Sequence, residues 1–288
     1  MQTLREVLED AERRHVAVGH FNFSDLAALK AIVEAAREAR VPVLVGVSEG
    51  ERAFLGTRQA AALVASLRNE NGIPIFLNAD HTHSLAKAEE AAKAGFDEII
   101  FDASSRPWEE NVAETRRAVE AIKSINPSIL VEGEIGYIGT SSEILDKTPE
   151  GMGALTTPEE ARQFVEATRI DVLAPAVGNM HGLLKTMVEG VAEKRLDIPR
   201  IAAIKAAARV FMTLHGGSGT NDGDFTRAIK AGITIVHINT ELRLAWRRGL
   251  ESALARDPDA VAPYKILPGA VEAVKQVVRS RVDLFNSQ

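Results

Sequence analysis

The sequence has 288 residues, of which 45% are hydrophobic and 26% charged, and its formal net charge is −6. This length allows two ordinary domains or one barrel-sized domain, and the interspersed charges provide no electrostatic surface for nucleic acid. The absence of cysteine excludes disulfides, thiolate metal sites and a cysteine nucleophile. Neither a signal peptide nor an 18-residue apolar run is visible, so we expect a cytoplasmic protein without a membrane span.

Eight short apolar runs alternate with helical patterns along the chain. The runs cover residues 17–23, 42–48, 73–80, 98–104, 129–136, 172–178, 210–217 and 235–240. Most are nearly continuous in apolar residues, which is typical of parallel strands covered on both faces. Ser24 is a predicted N-cap, and several helical patterns close on glycine, which tolerates the left-handed backbone after a helix.

This alternation predicts one (β/α)8 barrel, a TIM barrel, over residues 1–288, since no linker and no second core interrupt it. A doubly wound open sheet is the structural alternative, although it lacks a GxGxxG turn for support. Two helices fall outside the eight units. One is N-terminal and could plug the bottom of the barrel, and the other covers residues 268–285.

Polar residues stand at the ends of nearly all the runs. In a barrel these ends gather at one face, where the active site lies. The polar residues at the run ends, or shortly after them, are Asn22, Ser48, Asp80, His81, Asp102, Glu132, Glu134, His181, His215, His237 and Asn239. Five of the seven histidines belong to this set when His83 is counted, although His83 is expected to be structural.

Three of these histidines predict a metal site. His81, His181 and His215 follow the third, sixth and seventh runs, and three converging imidazoles form an open zinc site; the alternative is that each is structural. Asp102 and Glu132 could bind a second cation, hydrogen-bond the ligating histidines or pair with a basic side chain.

A glycine-rich turn follows the seventh run. The segment LHGGSGT at 214–220 precedes a helix predicted to start at NDGDF. Backbone amides and a helix N-terminus suit a phosphate, and barrels often hold phosphate between the loops after strands seven and eight.

Several segments resemble one family along nearly the whole chain. NADHTHS, AGFDEIIFDASS, VEGEIG, AVGNMHG and LHGGSG, together with the tail AVKQVVRSRVDLFNS, are similar to segments of the class II, zinc-dependent ketose-bisphosphate aldolases. This family includes the fructose- and tagatose-bisphosphate aldolases. The resemblance implies a lyase of glycolysis and carbohydrate metabolism. It would reversibly cleave a ketose bisphosphate, with fructose 1,6-bisphosphate as the leading candidate. The products would be dihydroxyacetone phosphate and an aldehyde such as glyceraldehyde 3-phosphate.

The resemblance also implies roles for the residues of the metal site. His81, His181 and His215 would bind the catalytic zinc, and Asp80 would move the proton of the C4 oxygen. Asp102 and Glu132 would hold a second divalent metal.

The substrate pocket follows from the same resemblance. Gly182, Gly216 and Ser218, with Gly217 in the same turn, would bind a monovalent cation and the phosphate of the dihydroxyacetone phosphate portion. Asn239 and Thr240 would complete this pocket, and Asn22 and Ser48 are further substrate-binding candidates at the ends of the first two runs. Arg281 would reach the other phosphate from the partner subunit, which implies a homodimer or homotetramer.

The chain departs from the family pattern at two places. His237 stands where the family usually has Asn, so tagatose 1,6-bisphosphate or another ketose 1-phosphate stays open as the substrate. In the loop after the fifth run, Ser141 and Ser142 replace acidic residues and Glu143 is the nearest acid. Either Glu143 removes the triose proton or that step differs.

Two other functions stay open. A non-catalytic accessory subunit of an aldolase would keep the barrel and lose the chemistry. A metal-dependent hydrolase on the same barrel would carry an HxH pair on its first strand, where this chain has only His20. A Schiff-base aldolase is disfavoured because no run ends in lysine.

Overall fold

The computed structural model describes residues 2–139, 142–148 and 154–287, so Ser141 lies outside the described residues. The strands in chain order are Val18–Asn22 (β1), Val43–Val47 (β2), Ile75–Thr82 (β3), Glu98–Phe101 (β4), Leu130–Ile135 (β5), Ile144–Leu145 (β6), Val172–Pro175 (β7), Leu183–Leu184 (β8), Phe211–Leu214 (β9) and Ile235–Ile238 (β10). Each of the eight predicted runs contains one of the longer strands or overlaps it.

These eight longer strands close into a parallel barrel in the order β1-β10-β9-β7-β5-β4-β3-β2. Closure is direct, because β1 pairs with both β2 and β10. The predicted (β/α)8 barrel is therefore confirmed, and the open sheet is wrong. The two shortest strands, β6 and β8, form a separate parallel pair beside the barrel.

The helices are Leu4–Arg14 (α1), Leu26–Ala39 (α2), Glu49–Leu55 (α3), Thr57–Asn71 (α4), Leu85–Ala94 (α5), Trp108–Ile125 (α6), Pro158–Thr168 (α7), Lys185–Val188 (α8), Ile198–Ala208 (α9), Asp222–Lys230 (α10), Thr240–Arg256 (α11), Pro263–Ile266 (α12) and Pro268–Phe285 (α13). Within the described residues, none is long and apolar enough to cross a bilayer.

The helix ends follow the local chemistry, with one correction. Gly72 and Gly95 end α4 and α5 in the left-handed conformation, as predicted. The N-cap of α2 is Asp25, whose side chain accepts a hydrogen bond from the amide of Ala28. Ser24 was the predicted cap, but its hydroxyl instead donates to Glu51, so that prediction is wrong by one residue.

The N-terminal helix closes the end of the barrel opposite the strands' C-termini. The buried face of α1 carries Leu4, Val7, Leu8 and Ala11. This face forms one apolar cluster with side chains contributed by the strands, which are Val18, Leu44, Phe76, Leu130, Val172, Phe211 and Ile235. The predicted plug is therefore present.

The C-terminal helix completes the outer layer by packing against both α2 and α11. Glycines permit the close approach of α11 and α13: a Cβ built on Gly249 would lie 2.5 Å from the carbonyl oxygen of Gly269. This contact ties the end of the chain to the helix that follows the eighth barrel strand.

Candidate metal centre and active site

A bulge at the end of β3 brings two consecutive polar residues to the barrel mouth. The register with β4 shifts between Ala79 and Thr82, and His81 has a left-handed φ of 38°. In a regular strand, neighbouring side chains point to opposite faces, whereas a bulge redirects one of them. Asp80 and His81 consequently both line the same cavity.

The loops after β7 and β9 are locked together and carry the other two histidines. The side-chain amide of Asn179 donates to the carbonyl of His215, and its oxygen accepts from the amide of Val177. Gly216 has a φ of 59°, and a Cβ there would lie 2.3 Å from the carbonyl oxygen of Met180. Only glycine permits this approach, which places His181 beside His215.

Four side chains converge on one point. The candidate ligand atoms of His81, Glu134, His181 and His215 all lie within 4.8 Å of one another. His81 Nε2 and His215 Nδ1 are 3.1 Å apart, close to the spacing of about 3.3 Å that tetrahedral bonds of about 2.0–2.1 Å to zinc produce. His181 Nε2 and Glu134 Oε2 are buried without a hydrogen-bond partner. The donors therefore fit a zinc ion.

Glu134 is the member of this cluster to which the sequence analysis assigned no role. It ends the fifth barrel strand two residues after Glu132, and residues two apart share a strand face. Both side chains are buried. Burial raises the pKa of Glu134 to about 7, with the negative charge of Asp102 adding to the effect. The alternation of two glutamates in VEGEIG was the signal that could have identified it.

Asp102 and Glu132 contact the imidazoles rather than each other. Asp102 Oδ2 lies 2.9 Å from His81 Nδ1, and Glu132 Oε1 lies 2.6 Å from His215 Nε2. Among the described residues, no cluster of candidate ligands contains both carboxylates. The arrangement differs from the second metal site expected of them and favours hydrogen bonds that orient the ligating histidines.

Protonation differs among the three histidines. Burial lowers the pKa of His81, but the carboxylates of Asp80 and Asp102 outweigh it and raise the pKa to about 10. Burial, reinforced by the charge of His81, lowers the pKa of His215 to about 4 and that of His181 well below its usual value. His181 and His215 are thus neutral near pH 7, as ligation requires.

Asp80 is a buried carboxylate that faces the cavity. Its Oδ2 accepts a hydrogen bond of 2.8 Å from the side chain of Asn22, whereas its Oδ1 has no hydrogen-bond partner. Burial would raise the pKa of Asp80, but the neighbouring histidines, with His81 first, hold it well below its usual range. The side chain is therefore ionised and able to accept a proton.

Most of the predicted substrate-binding residues surround two adjoining cavities at this face. The larger, of about 310 Å³, is lined by Ser48, Asp80, His81, Asp102, Ser142, Glu143, His181, Asn239 and Arg243, among others. The smaller is lined by Asn22, Asp80, Ser142, His181, Gly182, Gly216, Ser218, His237, Asn239 and Thr240. Arg243, which the sequence analysis did not single out, places a cation at the rim.

Four predicted site residues, Glu132, His215, Gly217 and Arg281, line neither cavity. Glu132 Oε1 contacts His215 Nε2, and the amide of Gly217 donates to the carbonyl of His237. Arg281, on α13, pairs with Glu241 at 2.9 Å and with Asp222 at 2.7 Å. Within a single chain, Arg281 is therefore engaged away from the cavities.

His237 is held in a stack of imidazoles. Its ring centroid lies 3.5 Å from that of His20 and 4.1 Å from that of His215. Burial lowers the pKa of His237 well below its usual value and that of His20 to about 4. Both rings are consequently neutral near pH 7, and His237 lines the smaller cavity with His20 packed behind it. His20 was not predicted as a site residue, because it lies inside the first strand.

The loop with Glu143 is tied to the loop with His181. The backbone carbonyl of Glu143 accepts from the amide of Leu183, where β6 meets β8. The side chain of Glu143 is exposed at the rim of the larger cavity. The carbonyl of Ser142 accepts from Arg243.

A lysine occupies the place expected for a monovalent cation. Lys194 Nζ lies 2.5 Å from the carbonyl oxygen of Met180, 2.7 Å from that of Gly182, 2.9 Å from that of Gly216 and 2.5 Å from that of Ser218. These carbonyls include all three residues assigned to the cation, so the group does not fit there and that expectation is wrong. Because Nζ is enclosed by carbonyls and lines neither cavity, a Schiff-base role is disfavoured as well.

Known proteins resemble this chain along nearly its whole length. Residues 2–288 match the family model described as fructose-bisphosphate aldolase class-II. The fructose-bisphosphate aldolase of Staphylococcus aureus is 33% identical over 99% of this chain and 97% of its own, and the probable fructose-bisphosphate aldolase of Bacillus subtilis is 34% identical over the same shares. The crystal structure of the YdjI aldolase from Escherichia coli K12 superposes with a TM-score of 0.83 at 28% identity, covering 99% of this chain and 97% of that one. The chain belongs to the class II fructose-bisphosphate aldolase family.

Proposed function

We propose that this enzyme is a zinc-dependent aldolase that cleaves a phosphorylated ketose reversibly to dihydroxyacetone phosphate and an aldehyde, with fructose 1,6-bisphosphate as the leading substrate. The observation that carries the proposal is the convergence of His81, His181 and His215 on one point beside the ionised Asp80. The names of the relatives support the substrate class. A cytoplasmic location belongs to the same proposal.

Asp80 performs the proton transfer of the cleavage step. When bound, the zinc ion supplies positive charge that stabilises the anion left by carbon–carbon cleavage. Asp80 lines both cavities, and its Oδ1, which has no hydrogen-bond partner, takes the proton of the C4 hydroxyl, while Asn22 holds Oδ2 and so orients the carboxylate. In the synthetic direction Asp80 returns the proton.

Two separate groups suit the phosphates. Gly182, Gly216 and Ser218 surround the smaller cavity beside the first turn of α11, whose N-terminal amides favour an anion. Arg243 lies at the rim of the larger cavity, 2.8 Å from Glu51, with its side chain partly exposed. We assign Arg243 to the second phosphate within one chain. Arg281 would serve that phosphate only from a partner subunit of a homodimer or homotetramer.

The identity of the ketose depends on the stacked imidazoles of His20, His237 and His215. His237 is larger than the usual Asn of the family and is fixed between His20 and His215. Tagatose 1,6-bisphosphate and other ketose 1-phosphates are therefore the alternatives, because His237 lines the smaller cavity.

The test measures release of dihydroxyacetone phosphate from fructose and tagatose 1,6-bisphosphates by purified protein, with chelator and after zinc is restored. We expect cleavage that chelator abolishes and zinc restores. His215→Ala should lose both zinc binding and cleavage, whereas His15→Asn, a matched change at an exposed helix end far from the site, should retain both. Chelator-insensitive cleavage by His215→Ala would contradict the proposal.

The same assay separates the other two functions. An accessory subunit would bind zinc without cleaving either sugar alone, and a hydrolase would release inorganic phosphate without a triose. The ratio of the two cleavage rates reports which C4 epimer the site accepts.

A further inference from the structure

Lys194 joins the two loops that carry His181 and His215. Met180 and Gly182 flank the first histidine, and Gly216 and Ser218 follow the second. The side chain of Lys194 is buried, with 4% of the residue exposed. One buried cation thus holds four backbone oxygens that belong to two metal-binding loops.

The backbone of Lys194 is fixed as firmly as its side chain. Its amide donates to the carbonyl of Gly219 at 2.8 Å, and its carbonyl accepts from the amide of Asn221 at 3.2 Å. Lys194 and Thr220 therefore form an isolated parallel β-bridge. This anchoring places the ammonium at the centre of the carbonyls without help from a bound ion.

The four carbonyl oxygens that surround Lys194 Nζ require a cation. Carbonyl oxygens are acceptors only, and a neutral amine has two N–H donors for four of them, whereas an ammonium has three donors and a full charge. Burial lowers the pKa of Lys194 to about 7, and the carboxylate of Glu241 acts in the opposite direction. Hydrogen bonds to carbonyls likewise favour the charged form.

We propose that the ammonium of Lys194 is a covalently attached substitute for an exchangeable monovalent cation, so that this enzyme assembles its metal-binding loops without Na⁺ or K⁺. Lys194 is a positioning residue, since it lines neither cavity and acts through the loops that carry His181 and His215. The inference does not depend on the proposed reaction, because its test measures unfolding.

The experiment compares thermal unfolding of the wild type with Lys194→Ala and Lys194→Met in choline, sodium, potassium and rubidium chlorides at equal ionic strength. The wild-type midpoint should be the same in all four salts. Lys194→Ala leaves a space lined by carbonyls, so its midpoint should fall by about 5 °C or more in choline and rise again with K⁺ or Rb⁺ in a saturable way. Lys194→Met fills the space without charge and should not be rescued.

A second readout follows the metal site itself. Zinc affinity of Lys194→Ala should weaken by about tenfold in choline, as for loss of a group that supports the ligands, and recover with K⁺. Lys93→Ala, at an exposed lysine of α5, controls for general loss of a surface charge. A wild-type midpoint or zinc affinity that depends on K⁺ or Na⁺ would overturn the proposal, as would equal rescue of the alanine and methionine variants. Should neither variant fold, the wild-type series alone decides.

Discussion

At the scale of single residues, His81 shows how neighbouring carboxylates set the protonation of a candidate metal ligand. Its Nδ1 lies 2.9 Å from Asp102, and its Nε2 lies 3.7 Å from Asp80. Two carboxylates therefore favour the doubly protonated ring despite its burial, which raises the pKa to about 10. The metal-free protein carries a charged His81 at neutral pH, while His181 and His215 are neutral.

Zinc binding should therefore release about one proton at pH 7.5, because zinc needs the Nε2 that carries this proton in the metal-free state. Calorimetric titration in buffers of different ionisation enthalpy measures the number. Because the pKa of His81 is raised, the number of protons released should persist until the pH rises through about 10 and then fall. Asp102→Asn should lower the number, since it removes one of the two carboxylates. Binding heats that are independent of the buffer would exclude this account.

At the scale of secondary structure, short irregular elements place the reactive groups. The bulge in β3 turns both Asp80 and His81 to the cavity. The short strands β6 and β8, each of two residues, pair with each other and hold the loop that contains Glu143 beside His181. Regular strands supply the frame, but alternation alone would send consecutive side chains to opposite faces.

The position of Glu143 leads to a prediction for the triose proton. Glu143→Gln should lower kcat about 100-fold, the range of a lost general base, with little change in KM. Exchange of the triose hydrogen of dihydroxyacetone phosphate with heavy water, followed by NMR, isolates this step. Asp146→Asn, an exposed change in the same loop that pairs with Lys185, is the matched control and should stay within about twofold of wild type. Unchanged exchange in Glu143→Gln would assign the proton to another group.

At the scale of the whole molecule, the barrel separates stability from chemistry. The site occupies the C-terminal ends of the strands, and α1 covers the opposite end. Leu8, at the centre of that plug, is completely buried.

Leu8→Ala should reduce the free energy of unfolding by about 2–5 kcal/mol, because it leaves a cavity in the plug, while kcat stays unchanged. Denaturant titration and steady-state kinetics measure the two effects. Glu9→Ala, on the exposed side of the same helix, should change stability by no more than about 0.5 kcal/mol. A fall in kcat with stability retained would show that the two ends are coupled.

The oligomeric state also belongs to this scale and stays a prediction. Phe54, Val261 and Tyr264 are large apolar residues that remain mostly exposed. A homodimer or homotetramer would be measured by light scattering, and it is required if Arg281 reaches a substrate across subunits.

What the sequence by itself determined rests on local patterns. Apolar runs of strand length located the eight barrel strands, glycines marked the ends of α4 and α5, and polar residues at the run ends pointed to Asp80, His81, His181 and His215 as site candidates. The predictions of strands and helix ends succeed because strand length and helix capping are properties of a few adjacent residues.

Only the tertiary structure decided which distant groups share a partner. It brought Glu134 to the three histidines, directed Asp102 and Glu132 to imidazole nitrogens, stacked His20 on His237 and enclosed Lys194 in carbonyls. Lys194 lies in a connecting segment that no periodicity marks, and its four acceptors are backbone atoms, which side-chain identity does not reveal. Such contacts depend on how the closed barrel brings its loops together, and that closure is a property of the whole chain.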